Sequence, residues 1–340
     1  MKALQIMDGN RLELVSRNPI KLRPWEARIS VAVSLVCGSD IKNINLTESE
    51  RRIPGHEFSG IVTEVSGQAN GILKVGERVT SFPMMPCHGC GSCINRLFRD
   101  CENKGFLGSI NWPGSFASEL IVDARMAIVL SKEISMYQGA LLEHLSCGYR
   151  LALEIVESDC PKDSRVLIIG DGPIALANLQ MLLIHGYHDI TIIGKYPYRL
   201  KVAKSLGAFK TINVAELGDD DDLEFKKIDI CILTASTEKI LLKYSNNFSA
   251  GALIIEQTRF MDSNLKRYLI SCGFKFRRAF SCHLLDFSVV TKLIVAGKVK
   301  SEELITSSFR LEEFGLAYPN NLAKYKNIKI AVISDKSLLL

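Results

Sequence analysis

The sequence predicts an α/β protein with two folding patterns in succession, an antiparallel, barrel-like part followed by a doubly wound parallel sheet. Three observations carry this expectation. Up to about residue 145, short alternating strands are punctuated by turns. From residue 166, short continuous apolar runs alternate with helical patterns. Between the first such run and its helix stands a glycine turn, Gly170-Asp171-Gly172-Pro173-Ile174-Ala175. Strand, helix, strand, helix is the order that builds a parallel sheet covered on both faces.

The elements follow in chain order. Ile29, Val31, Val33 and Leu35 alternate with smaller or polar residues, which predicts a strand over 28–36. A second strand is expected over 58–65, a turn region over 67–76 and a third strand over 78–81. The run Val166-Leu167-Ile168-Ile169 is apolar throughout, as a buried parallel strand requires. A helix is expected over 173–185, a strand over 190–193 and a helix over 199–206. Strands over 228–233, 253–255 and 274–276 continue the series. After about residue 279 one helix pattern, 286–296, precedes mixed strand and loop. The acidic patch 219–222 reads as a solvated loop.

Length and composition limit the function classes. A chain of 340 residues suggests two domains, and 47% hydrophobic residues suffice for a sizeable core. The net charge of +5 is mild and the basic residues are scattered, so nucleic-acid binding has no support. No apolar run reaches the length that spans a bilayer. The first eight residues meet charge too early for a signal peptide. A reducing cytoplasm is therefore expected, where thiols stay free or bind metal.

Four of the ten cysteines, Cys87, Cys90, Cys93 and Cys101, form a C-x2-C-x2-C-x7-C cluster. Four thiolates satisfy the tetrahedral, soft-ligand preference of zinc and leave no open position, so the cluster predicts a structural zinc lobe over about 84–104. Five isolated cysteines (Cys147, Cys160, Cys231, Cys272 and Cys282) read as buried, inert thiols.

The glycine turn reads as a dinucleotide fingerprint, because a strand precedes it and a helix follows. Gly170 permits the tight turn, Gly172 lets the backbone approach a pyrophosphate, and Ala175 allows close helix–strand packing. Pro173 suits the first helical position, and with Ile174 opens the helix whose N–H groups face phosphate. At the end of the second strand Gly194 takes the place where NAD binding calls for a carboxylate, with Lys195 and Arg199 beyond it. That arrangement predicts NADP rather than NAD, the two cations binding a 2′-phosphate.

Three further segments complete the pattern: Cys37-Gly38-Ser39-Asp40, Gly55-His56-Glu57-Phe58-Ser59-Gly60, and Glu143 in Leu141-Leu142-Glu143-His144. With Lys74-Val75-Gly76-Glu77-Arg78-Val79, the cysteine lobe, Gly114-Ser115-Phe116-Ala117 and the glycine turn, the chain resembles the zinc-dependent medium-chain dehydrogenases, on their sorbitol (polyol) dehydrogenase side. The resemblance implies a GroES-like β-barrel catalytic domain over 1–145, a Rossmann domain over 146–278, and a return to the first domain over 279–340.

It implies a catalytic zinc on Cys37, His56 and Glu143, with Glu57 as a neighbouring or exchanging ligand and Ser39 as the hydroxyl that relays the substrate proton. It also implies two zinc ions per chain, an alcohol or ketone substrate, and a homodimer or homotetramer. The carboxylate at Glu143 resembles the polyol branch, which favours a polyol, sugar alcohol, aminocyclitol or sugar phosphate.

Some positions depart from the pattern. Lys42 stands where many relatives carry histidine, and His144 where many carry proline. Thr234, Glu256 and Gln257 lie in turns that line the nicotinamide end in the family but here lack the usual glycines. Phe106, Trp112, His144 and Lys42 are candidate pocket residues, and Lys42 or Arg51 could meet a substrate phosphate. Two other readings stay open at this point: a zinc-free type NADPH reductase of the same fold, and a non-catalytic scaffold.

Overall fold

A computed structural model describes residues 1–7, 11–44, 52–109, 111–217, 227–235, 238–257, 261–317 and 326–339. The acidic patch 219–222 and Arg51 lie outside these residues, as does the side chain of Lys42.

The first large sheet among the described residues has seven strands. Its path runs Ala127–Val129, Arg78–Ser81, Glu57–Val65, Glu26–Leu35, Lys329–Ile333 and Ile305–Arg310, with Glu119–Asp123 also paired to Glu26–Leu35. Neighbours are antiparallel except Ile305–Arg310 and Lys329–Ile333, which run parallel. Ala27, Ile29, Val31, Val33 and Leu35 are all fully buried, the inward set that the alternation required. The strand Lys329–Ile333 thus carries the end of the chain back into the middle of the first sheet.

The second sheet has six parallel strands in the order Lys210–Asn213, Ile190–Gly194, Val166–Ile169, Ile228–Leu233, Phe248–Glu256 and Lys275–Arg278. Val166–Ile169 meets Ile228–Leu233 at the reversal of winding, where doubly wound sheets bind ligands at the carboxyl ends of their strands. Helices Pro173–Ile184, Pro197–Ser205 and Asp286–Val295 stand within two residues of expectation. Phe248–Glu256 is longer than the expected 253–255, because Ser249 and Gly251 interrupt the apolar run while the backbone still pairs across a register shift at Ile228/Ile230.

One long element was not expected, the 21-residue helix Met136–Val156. Ser135 accepts from the Gln138 N–H while the Gln138 side chain accepts from Ser135 N–H, a closed capping box that starts it. The boundary anticipated near residue 145 falls inside this helix. One face packs on the first sheet and another on helix Pro173–Ile184. The two helices approach closely at Gly148, where a Cβ would lie 2.9 Å from the Ala177 carbonyl carbon. Leu141, Leu142 and Leu145 are fully buried along it, and each stabilises the fold by roughly 1.5–3 kcal/mol. The largest apolar core accordingly runs through both sheets. A hairpin of Lys2–Met7 with Arg11–Ser16 also went unanticipated.

The isolated cysteines divide. Cys231 and Cys282 are buried as expected, Cys147 and Cys160 are half-buried, and Cys272 is exposed at the end of helix Ser263–Ser271.

Candidate functional site

Strand Glu26–Leu35 ends just before Cys37, and helix Gly38–Ile44 begins directly after it. Asp40, in the first turn of that helix, is buried and joins two segments. Its carboxylate accepts from Cys37 N–H at 2.9 Å and from Gly55 N–H at 3.1 Å, and meets His56 Nδ1 at 3.2 Å. That contact orients the imidazole and leaves Nε2 available to a metal. Burial opposes charge on His56, but Asp40 and then Cys37 outweigh it and hold its pKa well above the ordinary value. Gly55 has φ +102°, and a Cβ there would stand 2.6 Å from Ser115 Oγ and 2.7 Å from the Phe116 ring. Only glycine fits the backbone that delivers His56.

Cys37, His56 and Glu57 bring their ligand atoms within 4.8 Å of one another. A thiolate, an imidazole and a carboxylate at that spacing fit zinc and leave a further position open. Glu57 is fully buried and both its oxygens accept from Lys329 Nζ, itself 1% exposed. Glu143, expected as a zinc ligand, lies within reach of the charges of His56 and Glu57. Its carboxylate belongs to a separate group with Cys147 and Cys282, and Cys147 Sγ donates to it at 3.4 Å. The cause is local, since positions 143 and 147 share one helix face. Burial raises the Glu143 pKa, opposed by nearby His56.

The four lobe thiols also lie within 4.8 Å of one another. Cys87 N–H donates to Cys101 Sγ at 3.4 Å. The Cys93 N–H holds the Cys90 thiol down to about 6, whereas burial pushes Cys93 up to about 12. His88, with φ +57°, leaves the lobe and pairs with Asp123 at 2.9 Å.

The glycine turn sits at the carboxyl end of Val166–Ile169. A Cβ on Gly170, φ +121°, would strike Thr234 Oγ1, while Gly172 has open space within 4 Å. That space and the helix start at Pro173 and half-buried Ile174 fit a pyrophosphate. Thr234 turns its hydroxyl to the Ile169 carbonyl at 3.1 Å. His144 links the two regions. Its Nδ1 is 4.0 Å from Glu57 Oε1, its ring reaches the Pro173 backbone, and burial, then Lys329, lowers its pKa well below the usual value.

Several expected contacts are taken up elsewhere. Arg199 is buried, and its Nε donates to the Asn327 carbonyl at 2.9 Å, with Nη2 on the same oxygen. Glu256 is held by Lys266 at 2.9 Å and Arg278 at 3.2 Å, and Gln257 by Asn178 at 2.7 Å. The Trp112 indole donates to Ile121 O at 2.8 Å, whereas Phe106 lies against the His56 ring, centroids 5.4 Å apart. Ser39 is exposed in the first turn after Cys37, and Lys195 is exposed beyond Gly194. Sequence reasoning missed Asp40, Asp171 and Lys329. A lysine inside the apolar run Ile328-Lys329-Ile330-Ala331-Val332-Ile333 was a legible sign of a buried partner.

Comparison with known proteins agrees with this architecture. Residues 23–132 match the alcohol dehydrogenase GroES-like domain family. The chain is 28% identical to L-idonate 5-dehydrogenase of Vitis vinifera over 63% of this chain and 59% of that protein. It is 31% identical to galactitol 1-phosphate 5-dehydrogenase of Escherichia coli K12, over 56% of this chain and 55% of that protein. The matches thus span a little over half the length of these relatives. Among solved structures, a short chain alcohol dehydrogenase (rspB) from E. coli CFT073, complexed with NADH, superposes with a TM-score of 0.85 at 23% identity, covering 98% of this chain and 99% of that one. Fold and site resemble those of zinc-type medium-chain alcohol dehydrogenases. The relatives it is similar to are of the polyol-dehydrogenase type.

Proposed function

We propose that the chain transfers a hydride between a secondary alcohol and a nicotinamide dinucleotide, with a polyol, sugar alcohol, aminocyclitol or sugar phosphate as substrate class. The supporting observation is the Cys37, His56 and Glu57 triad, joined through His144 to the start of the dinucleotide helix. Zinc held there supplies Lewis-acid polarisation of the alcohol or carbonyl oxygen. Asp40 fixes His56 and Cys37 relative to each other before substrate arrives. Lys329 neutralises Glu57, so that the pocket carries less negative charge than its thiolate and carboxylate would give. Ser39, exposed two residues beyond Cys37, carries the alcohol proton toward water. Glu143, within reach of the charges of His56 and Glu57, tunes the field at the triad. A nicotinamide dinucleotide held at Gly170, Gly172 and Pro173 would supply the hydride acceptor, chemistry that is the cofactor's own.

Zinc analysis with a substrate screen tests this reading. The protein should hold two zinc ions per chain, and Cys37→Ser one, with loss of alcohol-dependent reduction of the nicotinamide but retention of the fold by circular dichroism. One zinc in the unaltered protein, or near-normal turnover in Cys37→Ser, would show that the reaction does not run through this site.

A further inference from the structure

The end of strand Ile190–Gly194 lacks the carboxylate that ordinarily receives the adenosine ribose, yet the place is not free of one. A Cβ on Gly194 would lie 2.5 Å from Asp171 Cβ, 2.7 Å from Asp171 Oδ2 and 2.8 Å from Asp171 Cγ. The side chain from the glycine turn thus fills the space that a strand-end side chain would use. Asp171 Oδ2 accepts from the backbone N–H of Lys195 at 2.7 Å and of Tyr196 at 2.6 Å. Asp171 is 6% exposed. Those two N–H groups open the loop that would cradle a 2′-phosphate, and an internal anion already holds them. Arg199 is committed too. Its guanidinium donates to the Asn327 carbonyl, lies 3.8 Å from Asp171 Oδ1, and stacks 5.1 Å from the Tyr196 ring centre.

Resting on the dehydrogenase reading above, we infer that Asp171 replaces the missing strand-end carboxylate and makes this chain select NAD(H) over NADP(H). A 2′-phosphate has to displace Asp171 from both N–H groups or stand beside its charge. Juxtaposed like charges at a binding surface cost several kilocalories, which corresponds to on the order of 100-fold in affinity. This reverses the preference that Gly194, Lys195 and Arg199 suggest when read along the chain. The carboxylate that decides it comes from 23 positions upstream of Gly194 and is adjacent only in the fold.

Titration of the zinc-loaded protein with NADH and with NADPH, followed by calorimetry, tests the inference without turnover. NADH should bind on the order of 100-fold more tightly. Asp171→Asn, which keeps an acceptor and removes the charge, should shrink that ratio at least about tenfold, mainly by tightening NADPH. Asp171→Ala should do the same by freeing both N–H groups. Tighter or equal binding of NADPH by the unaltered protein overturns the inference, as does an unchanged ratio in both folded variants. Should the variants fail to fold, the ratio for the unaltered protein still decides. Binding of neither nucleotide overturns the hydride-transfer reading itself, and the inference with it, which is distinct from equal binding.

Discussion

The buried pair of Glu57 and Lys329 concentrates the residue-scale physics of the site. Neither side chain sees solvent beyond 1%, so each charge exists only because the other does. Removing one partner of such a pair strands a buried charge and costs about 3–5 kcal/mol. Lys329→Met should therefore lower the urea midpoint by that equivalent at unchanged m, while Glu57→Gln with Lys329→Met should recover most of it. A loss well under 1 kcal/mol would mean that water reaches the pair. Gly55 makes a second residue-scale prediction. Gly55→Ala meets both a left-handed φ of +102° and the Ser115 hydroxyl. Strain of about 1–3 kcal/mol is expected, read as a lower unfolding midpoint together with loss of zinc from the His56 site but not from the lobe.

At the scale of elements, the helix Met136–Val156 ties the cluster of Cys37, His56 and Glu57 to the glycine turn, and its start is set by one hydroxyl. Ser135→Ala opens the capping box and should cost about 1 kcal/mol by thermal or denaturant unfolding. No measurable change would show that packing alone defines the helix start. The signal Ser135-Met136-Tyr137-Gln138 was present in the sequence, but apolar residues all round the following turns obscured a helical period. The parallel strands were legible because each is a short apolar run with an abrupt end, as Val166–Ile169 and Ile228–Leu233 show. The thiol lobe was legible because ligand spacing is local. Glu143 was harder, since its partners Cys147 and Cys282 are chosen by helix phase and by a distant segment. Asp171 was hidden for the same reason, because only folding puts it at Gly194.

Across the whole molecule, the decisive feature is that the chain leaves the parallel sheet and re-enters the first one. Strand Lys329–Ile333 lies between Glu26–Leu35 and Ile305–Arg310, with Ala331 opposite Leu35 and fully buried. The same strand brings Lys329 to Glu57 across a separation of 272 positions. Stability of the first sheet and charge balance at Glu57 are thus coupled through the strand Lys329–Ile333. Proline at 331 would remove a ladder donor in a central strand and disfavour its pairing by about 3 kcal/mol or more. Ala331→Pro should then lower the unfolding midpoint and reduce zinc from two per chain toward one, the lobe keeping its ion because Cys87, Cys90, Cys93 and Cys101 are joined by local chain alone. Loss of stability with both zinc ions retained would separate the strand from the site. Loss of both ions at once would show that the lobe depends on the sheet as well.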